Sequence, residues 1–339
     1  MFCITRLLFC FGILTGPFAL AQQSLPAAPS SAGSPIRVLI IDGQNNHLWR
    51  VTTPLLRRIL EDTGRFQVDI STTPTAPVRP GLSKDATAEQ KAVHEVKLKE
   101  YQAALADYQA QHAALWSVWR PTFTNYAVVL SNYNGESWPE AVRVAFVDFV
   151  KNGGGFVSYH AADNAFPEWP EYNEMIGLGG WGNRTEKDGP YLRLREGSWT
   201  QDLTPGRGGA HGPQHEFLIE AQAPNHPIMR GLPAKWMHAQ DELHDSLRGP
   251  AKNLLVLASA KSSRTQEQEP LLMAITYGRG RVFHTALGHG IEALQGLGFQ
   301  LTLARGTEWA ATGKVTLPAP SASSLSDRKA SVQPVTAAP

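Results

Sequence analysis

Four short stretches of this 339-residue chain gather histidine, amide and carboxylate side chains at the ends of apolar runs. They are Asp42-Gly-Gln-Asn-Asn-His47, Ser131-Asn132-Tyr133-Asn134, Tyr159-His160-Ala-Ala-Asp163 and His284-Thr-Ala-Leu-Gly-His289. An imidazole titrates near neutral pH, so it can pass a proton in either direction or ligate a metal. One such histidine alone is most often structural; four polar ends together predict a shared pocket. Two further clusters follow. His211-Gly-Pro-Gln-His215-Glu216 has the histidine spacing of a helical metal motif, yet Gly212-Pro213 excludes a regular helix across it. His238-Ala-Gln-Asp241-Glu242-Leu-His244 offers two adjacent acids as base, sugar-hydroxyl acceptor or metal ligand, with capping and surface hydration as the plain alternative.

Gly153-Gly-Gly-Phe-Val-Ser-Tyr-His160 has the layout of a nucleophile elbow: a glycine turn, a buried strand, then a polar residue. A working elbow needs Ser, Cys or Asp at its apex, and the apex here is His160. The only cysteines are Cys3 and Cys10. Both lie in a stretch, residues 1–21, that reads as a signal peptide: Arg6, an apolar run from Leu7 to Leu14, and Ala19-Leu20-Ala21 before the predicted cut. That run is too short for a comfortable membrane span. Cleavage would leave no thiol, which excludes disulfides, zinc–thiolate sites and a Cys–His nucleophile from the exported form. The expected location is secreted or periplasmic, with no stable membrane anchor.

Secondary structure must carry these residues to one place. Residues 22–35 read as a Pro/Ala/Ser linker, 36–316 as one folded domain and 317–339 as a disordered tail. Apolar runs at 36–41, 66–71, 126–131 and 156–160 alternate with helical patterns at 53–63 and 139–152, which predicts βαβ units and a parallel sheet. Ligands of such sheets bind beyond the carboxyl ends of the strands, where the polar stretches lie. An insertion at 84–119, rich in Ala, Glu, Lys and Gln, reads as a long exposed helix. Residues 177–213 combine many glycines with Trp181 and Trp199 and read as a long functional loop. Strands are expected again at 216–220, 254–258, 271–277 and 281–287, and a closing helix at 291–305. Lys and Arg (31) balance Asp and Glu (30), leaving no basic excess for a phosphate backbone, which argues against nucleic acid as a partner.

Gly153–His160, His226-Pro-Ile-Met-Arg-Gly-Leu-Pro233, Asp241-Glu242-Leu243, Gly278-Arg-Gly-Arg-Val-Phe-His284 with Leu287-Gly-His289, and Arg305-Gly-Thr-Glu-Trp-Ala-Ala-Thr-Gly313 follow one another in a specific order. In that order and spacing the chain, over residues 36–316, resembles the ThuA-like (trehalose-utilisation) family. The resemblance implies an α/β fold, a flavodoxin-like, class I glutamine amidotransferase-like three-layer sandwich with a mostly parallel central sheet; the helical insertion 84–119 departs from the shortest family members. It also implies loss of the amidotransferase cysteine and use of disaccharides or their 3-keto derivatives. With the polar strand ends, this makes His160, Asp241, Glu242 and His289 the expected catalytic residues. His47, Asn132, Asn134, Asp163, Trp181 and His215 are expected to bind substrate, with Trp181 or Trp199 stacking on a sugar ring. The expected partner is a small carbohydrate, a divalent metal is a candidate cofactor, and the exposed insertion is compatible with a homo-oligomer. The alternatives are a non-catalytic carbohydrate-binding or scaffold module and a metal-dependent hydrolase. Glutaminase activity is not expected.

Overall fold

Strand β1 (Ile36–Asp42) is buried at every position except Arg37, as a strand covered on both faces must be. It opens the part of the chain that the computed structural model describes, residues 34–321 and 323–336. The signal peptide and most of the linker expected from the sequence lie outside the described residues. The elements after β1 are α1 (Trp49–Glu61), β2 (Phe66–Thr72), α2 (Ala88–Val118), β3 (Val128–Ser131), α3 (Glu140–Lys151) and β4 (Gly155–Tyr159). Next come α4 (Pro170–Ile176), β5 (Tyr191–Arg195), β6 (Ser198–Asp202), β7 (Ala210–His211), β8 (His215–Ala221), β9 (Lys235–Asp241) and β10 (His244–Asp245). The last are β11 (Leu254–Lys261), β12 (Gln268–Tyr277), β13 (Gly280–Thr285), α5 (Ile291–Leu294) and α6 (Leu297–Thr312).

Nine strands form one sheet in the order β2-β1-β3-β4-β13-β12-β11-β8-β9. The first five are parallel, in the flavodoxin-like order; the remaining pairings are antiparallel. Side chains of β4 alternate between two helical layers. Gly155 lies against Ala310 of α6, whereas the Phe156 ring meets Phe146 of α3 and Tyr172 of α4. This is a three-layer α/β sandwich.

The antiparallel half decides the site. Following the pairings outward from β13, strand β9 again points the same way, so its carboxyl end reaches the same rim as those of β1, β3, β4 and β13. In a flat sheet, four spacings of about 4.8 Å would leave β9 about 19 Å from β13. Instead the Asp241 carboxylate, at the end of β9, accepts hydrogen bonds from the Gly288 and His289 N–H groups beyond β13, at 2.7 and 2.9 Å. The antiparallel half therefore curls back over the parallel one. Register shifts between β11 and β12 and between β8 and β9 mark where the bending is absorbed.

Several boundaries differ from the sequence reading. Helix α1 starts a turn before Thr53, because Leu48 O already accepts from Thr52 N–H at 3.0 Å, and Pro54 lies inside the helix. The closing helix breaks at Gln295-Gly296 into α5 and α6. The supposed 177–213 loop contains the β5–β6 hairpin. Its turn, Glu196-Gly197, has φ of 49° and 79°, the doubly left-handed geometry that matches strand twist. The charged ends of strand β9 mask its buried Trp236 and His238 in the sequence. The tail expected to be disordered packs on the domain as far as it is described. Ser326, Ser331 and Gln333 bond to Met237, Leu297 and Gln295, and Leu325 and Val335 are buried.

Candidate functional site

The loops after β1 and β3 leave the sheet in opposite directions, to β2 and to β4, and open a crevice between them. A cavity of about 830 Å³ occupies this switch point, with Asn46, His47 and Asn134 on one side and His211, Glu242, His244 and His289 on the other. Trp181 and Phe166 supply apolar wall. Close backbone crossing places Trp181: a Cβ on Gly209, whose φ is +80°, would come within 2.5 Å of the Gly180 Cα.

Glu242 Oε2 is where the side chains meet. It lies 2.9 Å from His289 Nδ1, 3.6 Å from His211 Nε2 and 3.9 Å from both His160 Nε2 and His244 Nε2. The ligating atoms of His47, His160, Glu242 and His289 all lie within 4.8 Å of one another, a donor set able to hold a metal ion. His160 follows β4 directly at φ 44°, so the elbow geometry read from the sequence presents an imidazole.

Hydrogen bonds assign the tautomers. His160 Nδ1 donates to Ala286 O (2.9 Å), His47 Nδ1 to Asn45 Oδ1 (3.1 Å) and His211 Nδ1 to Gly212 O (2.8 Å). In the neutral tautomer each bond defines, Nε2 carries the lone pair. Burial, then the neighbouring His244, pushes the His160 imidazole down to about 3; burial and His289 bring His47 to about 4. His244 behaves oppositely. Burial opposes its charge, but the Asp163 carboxylate at 3.1 Å raises it to about 10. Burial likewise opposes ionisation of Glu242, yet His244 and the surrounding imidazoles hold its carboxyl down at about 2.

Of the residues expected to act, His47, Asn134, Trp181, Glu242 and His289 line the cavity, and His160 stands directly behind them. Asp241 does not face it. Both its oxygens are taken, by His238 Nε2 and by the N–H groups of Glu242, Gly288 and His289. It positions two site residues rather than touching a substrate. Asn132 bonds to Thr52, Thr53 and Asn45, and so fixes the β1 loop against α1. Asp163 is fully buried between His244 and His284. His215 is exposed, bonds to Pro213 O and lies outside the cavity lining, where its neighbour Gln214 stands instead.

His211 and His244 belong to the two histidine clusters of the sequence and also line the cavity. They face each other across the β7–β10 pair, and Glu242 and His244 are two apart on an extended segment, so they share a side. The strand period, not the helical spacing of His211 and His215, was the informative signal.

The model of the ThuA family, described as trehalose utilisation, matches residues 37–310. The chain belongs to the ThuA family. The solved structure of a ThuA-like protein from Parabacteroides merdae ATCC 43184 is 40% identical, with a TM-score of 0.73, and the match covers 88% of this chain and 97% of that one. A ThuA-like protein from Bacteroides uniformis ATCC 8492, at 17% identity and a TM-score of 0.50, covers 85% and 98% and shows the shared fold alone. No curated protein matches the chain.

Proposed function

We propose that this ThuA-family chain is an exported enzyme that acts on a sugar or 3-keto-glycoside by imidazole acid–base chemistry. The observation that carries the reading is a proton donor and lone-pair imidazoles in one cavity. His244, ion-paired with buried Asp163, is the donor; His211 Nε2 is the acceptor at the open side. A carbonyl at C3 acidifies the C2–H bond. His211 takes that proton, the C–H electron pair becomes the enol double bond, and the carbonyl oxygen takes a proton from His244 Nε2. As the enol collapses, its O–H proton returns to His244 Nε2 and the C3 carbonyl re-forms; a C1–C2 double bond replaces the C1–O bond, and the departing C1 oxygen takes the proton held by His211. Trp181, edge-on to His244 with ring centroids 4.9 Å apart, offers a face to the sugar ring. A thiol route has no residue here, since His160 occupies the elbow and no described residue is a cysteine.

Incubation with 3-keto-glucosides and 3-keto-disaccharides in D2O tests the reading. Deuterium at C2, or release of the leaving group, is expected from the wild type and is lost in His244→Asn. Sugar binding without exchange or product across the panel would leave a non-catalytic binding module.

A further inference from the structure

We propose that His47, His160, Glu242 and His289 bind one divalent first-row transition-metal ion, which is the resident cofactor of the cavity. The inference rests on the reading of this cavity as the working site and adds the cation to it. Four donor atoms within 4.8 Å of one another come from four separate loops, after β1, β4, β9 and β13. Ligands sharing one ion at bonds of roughly 2.0–2.2 Å lie about 3.4 Å apart in a tetrahedron, so the cage closes with small side-chain movements.

Two atoms indicate what the cage is for. His160 Nε2 and His289 Nδ1 are buried with no hydrogen-bond partner among the described residues. His160 is 1% exposed, and its left-handed backbone turns the ring inward. His289 Nδ1 stands 2.9 Å from Glu242 Oε2 yet outside hydrogen-bond geometry. Both atoms lie near the same oxygen, Glu242 Oε2, at 3.9 and 2.9 Å. An orphaned buried nitrogen is costly unless something fills that role.

The surroundings are those of a ligand set. His160 and His47 each donate Nδ1–H to a fixed acceptor, Ala286 O and Asn45 Oδ1, which presents the other nitrogen as a lone pair. Asp241 holds the backbone of both Glu242 and His289. Three imidazoles and one carboxylate suit Mn, Fe, Co, Ni or Zn, whereas Mg and Ca prefer all-oxygen shells. A five-coordinate ion held by these four residues would keep one position for a sugar carbonyl or hydroxyl from the adjoining cavity.

The test is metal content and direct titration. The full chain, purified without metal-affinity steps, is analysed for metals, stripped with a chelator and titrated with Co²⁺ and Zn²⁺ by calorimetry. The Co²⁺ visible spectrum reports imidazole coordination. One ion per chain is expected, bound on the order of 100-fold more weakly in His160→Ala and in His47→Ala. His215→Ala, outside the cage, retains wild-type binding. His47 is only part-buried, so that variant keeps the test decisive should His160→Ala fail to fold. No saturable Co²⁺ or Zn²⁺ binding by the folded wild type, or binding that both variants leave unchanged, overturns the site. An ion bound without sugar turnover sinks only the proposed reaction. Turnover persisting in the chelated protein sinks only the metal.

Discussion

At the scale of single residues, Asp241 shows how a side chain serves a site without entering it. Its carboxylate is fully buried. Burial works against its charge, but the His238 hydrogen bond and the Gly288 N–H hold its pKa below the ordinary value. Asp241→Asn keeps the shape but turns an NH₂ toward backbone N–H groups that need an acceptor. A loss of about 2–4 kcal/mol in urea unfolding is expected, together with weaker Co²⁺ uptake through the loosened His289 and Glu242. Wild-type stability in this variant would show that the clamp does not hold the rim together. The sequence placed Asp241 among the acting groups because adjacent acids look equivalent in one dimension. Successive residues of an extended chain face opposite ways, and only Glu242 faces the cavity.

At the scale of elements, α6 explains how the parallel strands are held in place behind the site. A Cβ at Gly306 would approach the buried Phe283 ring of β13 to 2.2 Å, so the helix sits directly on the strand. Alanine favours helix over glycine by about 1 kcal/mol, yet overpacking a close core contact costs about 1–3 kcal/mol. Gly306→Ala is therefore expected to lower the thermal midpoint; a raised midpoint would mean that Phe283 yields freely. Helix α2 is the opposite case. The capping box of Thr87 and Gln90 starts it, but Trp116 is its only buried residue, packed edge-on to Trp119. Its richness in Ala, Glu, Lys and Gln made both the helix and its exposure legible in the sequence. The β5–β6 hairpin was not legible, because Glu-Gly is a weak turn signal and the glycines around it suggested a loop.

At the scale of the whole molecule, Glu308 ties the start of β2 and the segment after α6 to one buried carboxylate. Its buried carboxylate accepts from Arg65 Nε at 2.9 Å and from the N–H groups of Thr316 and Leu317 at 2.8 and 3.0 Å. Burial raises its pKa, and the bonds from Thr316, Leu317 and Arg65 outweigh that and lower it below the ordinary 4.5. The native state thus holds fewer protons here than the unfolded chain. Stability from this group is complete above 4.5 and is lost as pH falls through the folded value. Glu308→Gln should be less stable than wild type at neutral pH, with the gap narrowing as urea unfolding is repeated at pH values below 4.5. A gap independent of pH would assign the effect to packing rather than to charge.

The amino-acid sequence by itself determined the parallel core and the rim on which the β1, β3, β4 and β13 loops deliver their polar groups. Buried strands are apolar runs, and parallel strands put their carboxyl ends on one side. It also determined that an imidazole, His160, follows the glycine turn and the buried strand β4. What only the tertiary structure decided is which of the rim residues meet. Glu242 and His244 come from the far edge of the sheet, and their approach to His289 depends on the curl of the antiparallel half. That curl is set by register shifts and by the Asp241 clamp, both of which are long-range pairings that no local pattern of residues encodes.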